Sequence, residues 1–265
     1  MRSGRSGRWS GGAIIGSAAG LILMHALLPG RANRFRWQRD AGSDLIHFGK
    51  WIFQSTACGF ALSQGDKAVL GPYLPPDQLG IYNLDYFLAA FPVLLAGAVI
   101  GRIMIPIYRA HRARLRKLRF GLTAGVLGTL ALVGVFVRPL VALLYDARYL
   151  GAAPVIAALA IAQMPQVIGM TYDQSALAAG NSRGYFRVIA LRAAIQTAAF
   201  SIGVHLGGLL GALIGLGLAG LISHPLIVLL ARRHRAWDLT HDFVFFLCGS
   251  ALAAAIFAAN MFDMT

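Results

Sequence analysis

Long apolar runs alternate with short basic stretches along the whole chain. A helix needs about 20 mostly apolar residues to cross the hydrocarbon core of a bilayer. Runs of that length fall at roughly 11–29, 51–71, 80–107, 119–138, 152–178, 186–206, 208–231 and 242–262. The pattern predicts an all-α protein, a polytopic transmembrane helix bundle of about eight spans. The third and fifth runs are long enough for tilt and carry internal prolines, Pro92 in one and Pro154 with Pro165 in the other. Proline in a span is tolerated where neighbours or water satisfy the freed carbonyl, so a bend is expected at these positions.

Eighteen of the 24 basic residues fall on every second connection, and Arg138 and Arg148 fall on the other side. Arg31, Arg34, Arg36, Arg39 and Lys50 lie in 30–50, and Arg102, Arg109, Arg112, Arg114, Arg116, Lys117 and Arg119 in 102–119. Arg183, Arg187 and Arg192 lie in 180–192, and Arg232, Arg233 and Arg235 in 231–241. The positive-inside rule places these four stretches in the cytoplasm and the connections 72–79, 139–151 and 206–208 outside. The N-terminus then faces outward against its own Arg2, Arg5 and Arg8.

Composition narrows the class further. Of the 265 residues, 57% are hydrophobic and 13% charged, too little polar surface for a soluble domain of this length. The net charge of +14 sits in clusters between apolar runs, a membrane-protein distribution rather than a nucleic-acid footprint. Cys58 and Cys248 lie in apolar stretches, and the seven histidines form no HxxxH or HExxH pair. Neither a disulfide framework, a metal nor a cofactor is therefore expected. The run Gly11–Leu28 is long for a signal peptide and lacks a small-residue cleavage site. Glycines recur at four-residue spacing at 12, 16 and 20, at 97 and 101, at 121 and 125, and at 207, 211 and 215, a spacing that lets helices approach closely. Gly215, Gly217 and Gly220 spell GxGxxG, but inside an apolar span the spelling carries no dinucleotide site.

Two motifs carry a family resemblance. Phe48-Gly49-Lys50-Trp51-Ile52-Phe53 leads to Ser63-Gln64-Gly65-Asp66-Lys67, and Leu79-Gly80-Ile81-Tyr82 opens the next span. With Pro92, Pro106 and the turn Ala178-Ala179-Gly180-Asn181-Ser182-Arg183, this resembles polysaccharide-biosynthesis membrane proteins, the Wzx-type flippases of the MATE-like MOP superfamily, over most of residues 30–190. The resemblance implies a non-enzymatic carrier in the bacterial inner membrane whose partners are the bilayer and a polyprenyl-pyrophosphate-linked oligosaccharide. Such proteins have two pseudo-symmetric lobes around a central cavity, and this chain has room for about eight spans. By resemblance, 1–29 is the last helix of the N-terminal lobe, 30–50 a basic cytoplasmic linker, 51–231 a six-helix C-terminal lobe and 232–265 an additional helix. A first lobe outside this chain, or polysaccharide assembly proteins, are the further partners implied.

Ionisable groups inside spans are costly and mark the candidate site. Asp66 and Lys67, beside Gln64, fit either a substrate contact or anchoring at a helix end. Tyr82, Asp85 and Tyr86 share a face and fit a sugar contact or an aromatic belt. Arg102 reaches either the cavity floor or the interface. Gln163, Gln166 and Asp173 follow one stripe of the fifth span, either water-lined or at a solvated end. Arg192 and Gln196 form an i,i+4 pair suited to phosphate or to headgroups. No nucleophile–base–acid set accompanies them, so an enzyme is not expected. The leading expectation is a flippase, or its C-terminal half, moving lipid-linked oligosaccharide outward. The rivals are a drug or peptidoglycan-precursor exporter of the same fold and a non-transporting scaffold of a polysaccharide synthesis complex.

Overall fold

The computed structural model describes residues 15–20, 22–23, 39–110, 112–145 and 151–261. The expected first span, 11–29, falls mostly outside these residues, as do the N-terminal arginines and Arg148. Two compact units divide after Leu45. The first is helical at 15–20, at 22–23 and again from Arg39. The second, 46–265, holds the bundle.

In chain order the helices are α1 (Arg39–Leu70), α2 (Pro76–Ala110), α3 (Arg112–Val135), α4 (Val137–Leu144), α5 (Ala153–Gly169), α6 (Gln174–Ala178), α7 (Ser182–Arg233) and α8 (Leu239–Met261). Among the described residues, five stretches are long and apolar enough to cross a bilayer: Pro76–Met104, Leu115–Val135, Ala153–Ala178, Ser182–Arg233 and Leu239–Asn260. The chain is thus a multi-pass helical membrane protein. α1, expected to supply a span at 51–71, is not among the five, because its polar run Ser63–Lys67 interrupts the apolar sequence.

α7 supplies two arms. At the connection expected at 206–208 the backbone leaves helical geometry, with Gly207 at φ −148° and Gly208 at φ 59°, ψ −142°. A positive φ of this kind costs a glycine little and any other residue much. The arms fold back so closely that a Cβ on Gly203 or Gly211 would collide with the backbone carbonyl of the other. One on Gly215 would strike the Ala199 carbonyl. Gly217 and Gly220 press instead on α5, at Ala162 and at Pro165 with Gln166. The GxGxxG spelling is therefore a packing surface. Gly97, Gly101, Gly121 and Gly125, expected to pack in the same way, have open space around them.

α5 is the axle. It packs on α2, α3, α7 and α8, and its span is 61% buried against 22% for α8. Lipid tails are as apolar as leucine, so contact area rather than water exclusion holds such helices together. Ala153, Ala157, Ala160 and Ala162 keep α5 slim enough for neighbours on every side, with Ile156, Leu159, Val167 and Ile168 filling between them.

Three expectations change. The basic stretches are mostly helix rather than loop: α1 begins at Arg39, α2 and α3 run to Ala110 and from Arg112, and α7 starts at Ser182. The arginines sit on helix ends, and α2, at 35 residues, spans about 50 Å, well beyond a hydrocarbon core of about 30 Å. Pro154 lies in the first turn of α5, where it needs no partner for its missing N–H, and α2 continues helical through Pro92. The fifth span is not one helix. α5 stops at Gly169, and a tight turn with Met170 N–H on Val167 O (3.3 Å) and Tyr172 N–H on Gly169 O (3.0 Å) precedes α6.

The hairpin packing predicts a contrast between glycines. Gly203→Ala or Gly211→Ala pushes a methyl into backbone that cannot rotate away and is expected to cost about 1–3 kcal/mol. Gly121→Ala, facing open space, is expected to change stability by less than about 0.5 kcal/mol. Thermal unfolding in detergent distinguishes the two, and equal losses would count against the close approach of the arms.

Candidate functional site

The end of the bundle opposite the basic residues is built by the α1–α2 turn. α1 stops where Gly71 N–H bonds Lys67 O (2.9 Å) and Leu74 N–H bonds Leu70 O (3.0 Å), and Pro75 and Pro76 then launch α2. This short reversal lays the Gln64–Lys67 run beside Tyr82–Tyr86. The Tyr82 hydroxyl donates to Asp66 Oδ2 at 2.8 Å, while Asp66 Oδ1 is buried without a partner among the described residues. Lys67 Nζ donates to Gln64 Oε1 at 2.6 Å and lies 5.0 Å from the centre of the Tyr86 ring, within cation–π range. Asp85 is 3% exposed. A cavity of about 320 Å³ opens here, with Gln78, Tyr82 and Asp85 as its polar wall and Ile81, Val155 and Leu209 among its apolar lining. Six of the expected residues, Gln64, Asp66, Lys67, Tyr82, Asp85 and Tyr86, thus come together at one end.

A second group meets deeper in the bundle. Arg192 Nη1 bonds Asp173 Oδ2 at 2.7 Å, with both side chains 12% exposed. Gln196, one turn on, donates its amide to Leu62 O of α1 at 2.7 Å. Gln166, Arg192, Gln196 and Ser223 line a void of about 10 Å³, close to the space of one water. Asp173 lies just past the turn after Gly169 and reaches α7. Arg192 is accordingly spent on Asp173 rather than on a headgroup. Gln163 is buried with its amide nitrogen unpartnered, and Arg102 is exposed on α2 and joins neither group.

A third network, at the basic end, gathers residues that the sequence did not single out as a candidate site. Asp242, near the start of α8, receives Tyr172 Oη on Oδ1 (2.7 Å) and Trp237 Nε1 on Oδ2 (2.8 Å). His224 Nε2 lies 3.1 Å from Oδ2 and His241 Nδ1 3.2 Å from Oδ1. His241 Nε2 is 3.0 Å from Thr123 Oγ1 of α3. Arg119 stacks on Tyr172 at 4.4 Å and donates to the Tyr108 hydroxyl at 2.8 Å, which in turn donates to Thr171 O at 3.0 Å. Nearby, Asn181 accepts from Gly184 N–H (2.9 Å), capping α7, and its Nδ2 lies 3.2 Å from His234 Nε2. Burial, helped by the neighbouring Arg233 charge, lowers the His234 pKa, so the neutral ring accepts that bond. The available signal for the hub was a polar pair, His241-Asp242, just inside an apolar span, where such groups are expensive unless partnered.

The buried Asp173–Arg192 pair yields a stability test. Removing one member leaves an uncompensated charge, so Arg192→Met is expected to cost about 3–5 kcal/mol in detergent unfolding. The double change Asp173→Leu with Arg192→Met is expected to recover most of that loss. An additive double mutant would show that the two do not pair.

A family model described as Polysaccharide biosynthesis protein matches residues 11–159, more than half of the chain. No curated protein matches the chain, and no solved structure matches it. The matched stretch includes the Asp66–Tyr82 end of the bundle and closes inside α5, ahead of Asp173, Arg192 and Asp242. The chain therefore belongs to the polysaccharide biosynthesis protein family, as a multi-pass membrane protein.

Proposed function

We propose that this chain forms one lobe of a non-enzymatic flippase that carries lipid-linked oligosaccharide outward across the bacterial inner membrane. Its basic ends would face the cytoplasm, following the positive-inside rule. Family membership supports the polysaccharide assignment, and the observation that carries a transport role is the cavity of about 320 Å³ walled by Tyr82, Asp85 and Gln78. An aromatic face with a carboxylate and an amide suits sugar hydroxyls, which need acceptors and a flat apolar surface. A carboxylate kept at 3% exposure in a membrane bundle is costly unless it serves a cavity or a cargo. Alternating access requires two bodies that rock about the site, and this lobe would be one of them.

The rival reading, a scaffold of a synthesis complex, draws on one observation. Arg192, the arginine buried among the helices beside the Gln166–Gln196 void, is already paired with Asp173 and is not free to hold a pyrophosphate. Co-purification with glycosyltransferases and no flipping in liposomes would favour that reading.

The test is restoration of polysaccharide export in a flippase-null strain expressing the protein with its native partners. Asp85→Leu is expected to lower export about tenfold or more at unchanged membrane abundance, since a lost hydrogen bond to a charged group is worth about 1.5–3 kcal/mol. Arg187→Gln, an exposed change at the basic end, is expected to leave export intact. Full export by the Asp85 variant would remove the cavity from the mechanism.

A further inference from the structure

The basic end holds a larger cavity, of about 440 Å³, between α3, the α7–α8 connection and the first turn of α8. Its polar wall is Arg116, Arg119, Arg235, Trp237, Asp238 and Thr240. Three guanidinium groups thus face one carboxylate, and that carboxylate is already committed. Asp238 Oδ2 holds Arg116 Nε at 2.9 Å, and Oδ1 caps α8 by accepting the N–H groups of Thr240 (3.1 Å) and His241 (3.3 Å). Arg119 is 2% exposed, and its Nε has no partner among the described residues. A buried guanidinium N–H left unpaired is costly. Arg119 lines the cavity, and an acceptor that reached its Nε would remove that cost.

Arg235 adds a backbone argument. It sits at φ 52°, the left-handed residue of a helix-ending motif in which Ala236 N–H bonds Ala231 O (2.8 Å) and Arg235 N–H bonds Arg232 O (3.0 Å). Glycine is the usual occupant of this position, and it is the occupant of the matching turn at Gly180, φ 74°. The chain accepts the strain of a left-handed arginine here, beside the cavity. Trp237, stacked under Arg232 at 3.9 Å and bonded to Asp242, gives the cavity a rigid amphipathic wall of the kind found at headgroup depth.

We infer that this cavity binds a phosphate group, delivered by an anionic phospholipid headgroup of the adjoining leaflet or by soluble phosphate. Arginine forks match phosphate oxygens bidentately, and basic pockets between spans at this depth suit anionic headgroups. The inference rests on the chain being a membrane protein and is independent of what it transports.

The test titrates the full chain in detergent with phosphatidylglycerol against phosphatidylcholine by native mass spectrometry, and with inorganic phosphate by calorimetry. Phosphatidylglycerol is expected to be retained over phosphatidylcholine. Arg119→Gln and Arg235→Gly are each expected to weaken binding about fivefold or more, and Arg187→Gln, exposed at the same end, is not. Arg235→Gly relieves a strained backbone position, so its melting temperature should hold or rise and its binding loss cannot be assigned to unfolding. Phosphate binding lost in the same two variants, without a lipid preference, would assign the site to the soluble ion. No preference among lipids together with no phosphate binding would overturn the inference. Equal losses in Arg187→Gln would do the same, by reducing the effect to diffuse surface charge.

Discussion

The basic half of this bundle is organised around one buried carboxylate. An ionised Asp242 can only accept, and away from water each lone pair without a donor is expensive. It is met by the turn after α5 through Tyr172, by the second arm of α7 through His224, by the α7–α8 connection through Trp237, and by its own helix through His241. Elements far apart in sequence are thereby fixed to a single point. The turn between α5 and α6 carries both contacts, with Tyr172 reaching α8 and Asp173 reaching α7. Pro165, which frees the Ile161 carbonyl of its usual partner, weakens the helix one turn before it ends.

Glycine determines how near the partners of that carboxylate can come. The two arms of α7 touch backbone to backbone at Gly203 and Gly211, and the second arm lies on α5 through Gly217 and Gly220. From the other side, a methyl on Gly169 would strike Ile227 and touch His224. His224 reaches Asp242 because the arm that carries it is drawn in by missing side chains on both helices. Close packing and the polar network are therefore one device, since in lipid neither has a hydrophobic driving force to fall back on.

The sequence makes legible what depends on local composition. Apolar run lengths located the five stretches long and apolar enough to cross a bilayer, and Gly207-Gly208 marked the reversal of α7, because both signals are read within one stretch of chain. The Gln64–Lys67 and Leu79–Tyr82 motifs lie on either side of a short turn, so their meeting follows from the turn alone. The Asp242 network stayed hidden because its members are bonded across up to 118 residues and each, taken singly, looks like a helix-end residue. Charge counting found the basic end but misjudged its form: the ends of α1, α2, α3 and α7 carry most of these residues, and no long loop is needed. Gln166 and Asp173, read as one stripe, do meet around Arg192, although α5 ends between them at Gly169.

The three polar groups differ in what they leave unsatisfied. Among the described residues, an acidic oxygen of Asp66 lacks a donor at the far end, and an edge of Arg119 lacks an acceptor at the basic end. Between them Arg192 and Asp173 satisfy each other across one contact, with Asp173 Oδ1 left over among the described residues. An anion moving through this lobe could not simply settle on Arg192. It would have to compete with Asp173 for the guanidinium, and a displaced, desolvated carboxylate would have to find a proton or another donor. Under the proposed reading, that exchange makes the pair a barrier to free anions as much as a contact for cargo.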